Sequence, residues 1–253
     1  MSNNSQNWYN DYVKNHNIDP LNIPLKENQK IAVIGDIHEQ NLLFELLLTL
    51  IEIDNSNLGL IDRVVSLGDL YDKGFGEKNA ESILQCCLDN EFDVIKGNHE
   101  IKKIKYYRRN QSVLAITLAR LPNVLSFVWP NQFRLTCLHA GVTPRHAWDD
   151  LKYNSEICYV RTVNKNGEMI PLIWVEKNGK RTLEPKEPDG NLWHEIYDGR
   201  FGYIVSGHDQ QDDGIPKFYK NSCNIDTAAY KTGILTASIF GQNGFEKIIQ
   251  TSK

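Results

Sequence analysis

Four of the seven histidines in this 253-residue chain stand at the end of an apolar run, close to glycine or another small residue. These are His38 in Gly35-Asp36-Ile37-His38, His99 in Gly97-Asn98-His99-Glu100, His139 in Leu138-His139-Ala140-Gly141 and His208 in Ser206-Gly207-His208. Asp36 and Asn98 lie in the same loops, and Asp69 and Asp72 lie in the related segment Gly68-Asp69-Leu70-Tyr71-Asp72-Lys73-Gly74. Glycine lets a chain leaving a strand turn sharply, so polar side chains from several strand ends can reach one point. Imidazole nitrogens combined with carboxylate and amide oxygens form a donor set suited to Mn, Fe, Zn and similar ions, whereas calcium takes oxygen ligands. Any one of these histidines alone reads as a hydrogen-bonded structural residue. Five such loops in chain order read as a metal centre.

The elements that must position these groups follow from hydrophobic pattern. Lys30–Ile34 reads as a buried strand, and the leucine-rich stretch 42–53 after the first loop has helical length. The unit repeats, with a β-branched strand at 62–67, a helical pattern at 77–88 and a third strand at 92–96. Asp36 and Asp69 are 33 residues apart, and Asp69 and Asn98 are 29 apart, each about one βαβ unit. Successive units of that kind make a parallel sheet whose carboxyl-end loops lie side by side, where ligand sites form. After helical segments over 101–120, strands are expected at 124–128, 133–138, 169–175, 201–206, 224–226, 234–240 and 247–251. Residues 1–29, rich in Asn and carrying Trp8, Tyr9 and Tyr12, read as an N-terminal arm or short helix. Residues 30–253 read as one α/β domain, with a hairpin-bearing insertion over about 162–192.

The loop series GD-x-H, GD-x-x-D-[RK]-G, GNH-E, H-A-G and G-H resembles that of the phosphoprotein phosphatase superfamily, the calcineurin-like metallophosphoesterases. Its members include Ser/Thr protein phosphatases, bacterial and phage relatives, and the dinucleoside tetraphosphatases with their ApaH-like cousins. The likeness runs from Ile31 to Ser238 and takes in Asp226-Thr227-Ala228-Ala229 and Leu235-Thr236-Ala237. It implies a four-layer α/β/β/α sandwich and an enzyme that hydrolyses phosphate esters with two divalent metal ions, manganese first, with Fe, Zn, Ni or Co as alternatives. It further implies that Asp36, His38 and a bridging Asp69 hold one ion, and that Asp69, Asn98, His139 and His208 hold the other. A hydroxide between the ions would then attack phosphorus in line, with His99 protonating the leaving oxygen and Asp72 orienting that imidazole.

The resemblance also implies substrate-binding roles for Asn98 and Arg161, and for Lys73, which stands where the family usually has arginine and so keeps the charge but loses the fork. Glu39 replaces the usual glycine after the first histidine, and Phe75 replaces a usual proline. Both are expected to reshape their loops without abolishing metal binding. The implied substrate is a phosphomonoester, on a phosphoprotein or a small compound, with a dinucleoside polyphosphate or nucleotide cap as the alternative.

Composition narrows the partners. A net charge of −4 and a pI near 6.0 give no broad basic surface, so nucleic acid is not an expected partner. Five cysteines without a framework spacing or a C-x-x-C pair point to a reducing cytoplasm. The most apolar run, 42–51, is too short to span a bilayer and contains Glu45, so no membrane partner is expected. The basic and aromatic run 102–109 reads as a solvated helix face, Trp193, Tyr197 and Tyr203 as core, Cys86 and Cys87 as buried small apolar side chains, and His16, His146 and His194 as having no chemistry.

Overall fold

Alternation along Lys30–Ile34 sends Ile31 and Val33 to one side of the strand and Ala32 and Ile34 to the other, and all four are buried. A strand covered on both faces belongs inside a layered structure. The computed structural model describes residues 19–58, 61–107, 112–177, 180–187 and 189–252. The start of the expected arm, with Trp8, Tyr9, Tyr12 and His16, lies outside the described residues, as do Arg108, Arg109 and the Asn178-Gly179 turn.

In chain order the elements are β1 (Ile23–Pro24), β2 (Lys30–Ile34), α1 (Asn41–Leu58), β3 (Ile61–Ser66), α2 (Glu77–Asp89), β4 (Asp93–Val94), α3 (Asn98–Tyr107) and α4 (Val113–Arg120). There follow β5 (Val124–Val128), β6 (Arg134–Leu138), α5 (Trp148–Tyr153), β7 (Thr162–Val163), β8 (Leu172–Lys177), β9 (Lys180–Pro185), β10 (Asn191–Leu192) and α6 (Trp193–Ile196). The chain ends with β11 (Tyr203–Ser206), β12 (Lys217–Phe218), β13 (Ser222–Asn224), α7 (Ala229–Thr232), β14 (Thr236–Gly241) and β15 (Gly244–Gln250).

Two sheets carry the fold. One has the order β15-β14-β2-β3-β4, the other β1-β5-β6-β11-β13-β12. Within the first, β2, β3 and β4 run parallel, and within the second β6, β11 and β13 do. Their inner faces meet in one apolar cluster, where Ile31, Val33 and Val65 pack with Phe127, Leu135, Cys137 and Val205. The outer face of the first sheet, through Ala32 and Ile34, packs on Phe44, Leu47, Ile51, Ile83 and Cys87 of α1 and α2. The outer face of the second, through Leu138 and Ile204, packs on Leu151, Ile157 and Trp193. These four layers are helix, sheet, sheet, helix.

Helix patterning agrees with this. In α2 the buried residues Ala80, Ile83, Leu84 and Cys87 recur at helical spacing and form a single stripe, each larger apolar side chain contributing roughly 1.5–3 kcal/mol. Five cysteines are free thiols, four of them buried. Among the described residues no helix is long and apolar enough to cross a membrane.

Some expected boundaries move. The strand expected at 92–96 pairs only over Asp93–Val94, because the Lys96 N–H turns away to the Pro122 carbonyl. The strand expected at 169–175 begins at Leu172, because Met169 and Ile170 pair with β7 before the chain enters the β8–β9 hairpin. The helical stretch expected from 101 begins at Asn98, so Asn98, His99 and Glu100 form the first turn of α3. Residues 21–25, expected in a peripheral arm, are part of the second sheet. Ile23 and Pro24 pair parallel with Phe127 and Val128, and Leu21, Ile23 and Leu25 are buried.

Candidate active site between the two sheets

The carboxyl ends of both parallel strand sets open on the same rim. From the first sheet come the loops after β2 (Asp36, His38), β3 (Asp69, Asp72, Lys73) and β4 (Asn98, His99). From the second come His139 after β6 and His208 after β11. The turns are tight enough that His38, Asp69, Asp72, Lys73 and His208 hold φ of 48°, 51°, 63°, 67° and 69°. Non-glycine residues there cost about 1–3 kcal/mol each, and such strain is kept where the surroundings fix it, as at functional sites. Gly97 shows the crowding, since a side chain at that position would run into the Asp69 carboxylate.

All ten sequence-predicted side chains are brought together. Ligand atoms of His38, Asp69 and His99 lie within 4.8 Å of one another, and so do those of Asp69, His139 and His208, with Asp69 common to both groups. Asp36 Oδ2 is 3.9 Å from His38 Nε2. Asn98 Oδ1 faces His139 Nε2 at 2.9 Å and His208 Nδ1 at 2.8 Å. Lys73 Nζ lies 3.3 Å from His38 Nε2. Arg161 donates from Nε to His208 Nε2, from Nη2 to the His208 carbonyl and from Nη1 to Asp209, at 3.0, 2.9 and 2.8 Å. His99 Nδ1 is 2.7 Å from Asp72 Oδ2.

The donors fit divalent cations. His38 Nδ1 pairs with the Tyr71 carbonyl and His139 Nδ1 with the Leu67 carbonyl, so each directs Nε2 at the carboxylates. His139 Nε2 stands 3.3 Å from Asp69 Oδ1, and His38 Nε2 stands 3.7 Å from Asp69 Oδ2. Asp36, Asp69 and Asp226 are each at most 2 % exposed, and Asp226 Oδ2 has no hydrogen-bond partner. So much buried negative charge calls for a positive one among it.

The titration behaviour has the same origin. Burial, then Asp226 and Asp69, push Asp36 well above the usual carboxylate range. Burial also acts upward on Asp69, but His139, His99 and His38 overcome it and hold this carboxyl well below the range. Burial acts downward on His139, yet the Asp69 and Asp36 carboxylates lift it to about 10. His38, buried and near Lys73, falls to about 4 despite Asp69, and burial with Arg161 keeps His208 well below its ordinary value.

Three further acids are part of the site. Glu100, fully buried, accepts the N–H groups of Asp69, Leu70 and Gly97, each at 2.8 Å, and so ties the second loop to the third. Asp226 accepts the Ala228 N–H at 2.9 Å beside Asp36, and Glu39 bonds the turn that follows Asp69. The signal for Glu100 was present in its place beside Asn98 and His99, but sequence cannot show that a carboxylate faces backbone rather than metal.

A cavity of about 450 Å³ adjoins this cluster, lined by His99, Asn98, His208, Lys73 and Arg161 on one side and by Tyr159 and Met169–Leu172 on the other. Lys73, Arg161 and the candidate metal donors therefore share one cleft with an apolar wall.

A sequence profile of the calcineurin-like phosphoesterases matches residues 29–212, and the chain belongs to that family. It is thus a metal-dependent hydrolase acting on phosphoesters. No curated protein sequence matches the chain. Among solved structures, a candidate diadenosine tetraphosphatase superposes with a TM-score of 0.66 at 22% identity, over 91% of this chain and 96% of that one. A Saccharomyces cerevisiae protein serine/threonine phosphatase with similarity to human phosphatase PP5 superposes at 0.54 and 15% identity, over 98% and 88%. A cold-active protein tyrosine phosphatase superposes at 0.52 and 14% identity, over 92% and 78%. These likenesses establish the four-layer fold.

Proposed function

We propose that the chain is a phosphatase for phosphomonoesters, of the Ser/Thr protein phosphatase kind. The observation that carries this reading is the His99–Asp72 pair, 2.7 Å apart and set beside Asp69 at the mouth of the cleft. Asp36, His38 and Asp69 would hold one divalent cation, and Asp69, Asn98, His139 and His208 the other, with manganese the first choice and Fe, Zn, Ni or Co as alternatives. When bound, such a pair supplies activation of water and withdrawal of charge from the phosphate. Arg161 and Lys73, beside His208 and His38, bind the phosphate oxygens, aided by Asn98. Arg161 has five N–H groups, and those not given to His208 and Asp209 remain for an oxyanion.

Asp72 holds His99 through Nδ1, which turns Nε2 toward the cleft to protonate the leaving oxygen. Burial raises the Asp72 carboxyl, but bonds from His99, Lys102 and Lys103 outweigh this and keep it below the usual range, ionised for that task. Residues 30–253 carry the catalytic groups, with residues 21–25 adding an edge to the second sheet, and the 162–192 insertion supplies the wall Met169–Leu172. The substrate is a phosphorylated protein or small compound in the cytoplasm.

The test is hydrolysis of p-nitrophenyl phosphate with added Mn²⁺. Absence of turnover by folded protein, whichever divalent metal is added, rejects the reading. A second reading, hydrolysis of a dinucleoside polyphosphate, is favoured by the apolar wall beside the cations, which gives a base somewhere to lie, and by the name of the candidate diadenosine tetraphosphatase. Product analysis separates them, because release of ADP from diadenosine tetraphosphate marks the second.

A further inference from the structure

Glu39 follows His38 with φ 64°, a conformation that glycine takes freely. Its side chain is 4 % exposed overall and is committed to a neighbouring loop. Oε1 accepts the Asp72 N–H at 2.9 Å, while Oε2 accepts the Gly74 and Gly76 N–H groups at 3.2 and 2.8 Å. Three backbone donors on one carboxylate are charge-assisted bonds, stronger than neutral ones. They enclose the turn that carries Asp72 and Lys73.

The other bonds between these loops hold different groups: His38 Nδ1 pairs with the Tyr71 carbonyl at 2.9 Å and His38 Nε2 with the Lys73 side chain at 3.3 Å, and the remainder lie further back. The His38 and Glu39 N–H groups bond the Asp69 and Leu70 carbonyls, each at 2.8 Å, and Glu100 holds the Asp69 and Leu70 N–H groups. Gly74 packs so close that a side chain there would meet the His38 carbonyl and the Glu39 Cβ. Beyond Leu70, Glu39 supplies the side-chain anchor for the backbone of 72–76. Lys102 and Lys103 bond the Asp72 carboxylate at 3.0 and 3.2 Å, but both come from α3 with His99 and do not hold the turn's backbone.

We infer that Glu39 is a positioning residue: it fixes the Asp72 backbone, and through Asp72 the imidazole of His99. The inference rests on the proposed role of His99 as proton donor and deepens it. An Asp72 free to drift no longer orients His99, so the damage grows with the leaving group's need for a proton.

The experiment compares wild type with Glu39→Gly, which relieves the positive φ while removing the anchor. Phenyl phosphate and p-nitrophenyl phosphate are hydrolysed with Mn²⁺, and bound metal is measured. Phenolate is a strong enough base to need protonation, whereas p-nitrophenolate leaves without it. The kcat for phenyl phosphate is expected to fall about 30- to 100-fold and that for p-nitrophenyl phosphate less than about five-fold, with metal content unchanged. An equal fall on both esters, or none, overturns the inference. Amide exchange gives a second readout that needs no turnover. Asp72, Gly74 and Gly76 should lose protection in the variant while Asp69 and Leu70 keep it, and undiminished protection at the first three overturns the inference. A wild type inert toward both esters removes the phosphatase reading, and exchange then still decides whether Glu39 fixes the turn.

Discussion

Asn98 Oδ1 lies 2.9 Å from His139 Nε2, joining the first turn of α3 to the end of β6 in the opposite sheet. Asp69 Oδ1 approaches the same nitrogen at 3.3 Å. A divalent cation sharing these donors would tie the two sheets together, so it should stabilise the fold by mass action. Manganese at a hundred times its dissociation constant should add about 2.7 kcal/mol, or a rise in Tm of about 5–10 °C for a chain of this size. Thermal unfolding of chelator-treated protein with and without Mn²⁺ checks this. Asp69→Ala, which removes the carboxylate common to both ligand groups, should abolish the rise and the bound metal.

Replacing His99 by Asn should leave metal content unchanged and lower kcat by about 10²- to 10⁴-fold for esters with a basic leaving group. Elemental analysis alongside kinetics makes the check. Loss of metal in this variant would instead make His99 a ligand, a role its place within 4.8 Å of His38 and Asp69 allows.

Arg161→Lys keeps a charge near the phosphate but cannot reproduce the fork that now binds His208 and Asp209. Its KM should rise about ten-fold, equivalent to about 1.4 kcal/mol, with a smaller change in kcat. Steady-state kinetics decide it, and an unchanged KM would place Arg161 in a structural role.

His194, away from the site, gives a pH dependence of stability. It is 4 % exposed, stacked on Trp193 at 3.8 Å and on Tyr219 at 4.4 Å, with Nδ1 paired to Ser222 Oγ. Burial pushes its pKa down from 6.5 to about 3. The unfolded chain therefore takes up a proton that the native protein refuses. The stability is fully present above about pH 6.5 and is lost progressively as pH falls toward about 3. Between about pH 6.5 and 5 the loss from this residue is about 2 kcal/mol. Urea unfolding at both pH values should show it, and His194→Gln should flatten that part of the profile.

Much of the site's local grammar is readable without a structure. An apolar or β-branched run ending in glycine and then Asp, Asn or His marks a strand end, because the period of two and the freedom of glycine are properties of a few adjacent residues. The boundaries of β2 follow from that pattern and those of β5 from its apolar run before Trp129-Pro130, as does the side-by-side placement of the loops holding Asp36, Asp69 and Asn98, since βαβ units of about thirty residues admit one hand and one edge.

What only the tertiary structure decided is non-local. That β6 and β11 lie next to each other and face the first sheet, so that His139 and His208 meet Asn98, depends on which apolar faces fit together, and no local period encodes that. The same holds for Arg161 against His208, for Met169–Leu172 becoming a cleft wall, and for residues 21–25 entering the sheet. Glu39 and Glu100 are the clearest cases. Their sequence shows two acids beside two histidines, and only the packed loops show backbone N–H groups converging on each carboxylate, because a hydrogen-bond partner thirty residues away is chosen by the fold and not by its neighbours in the chain.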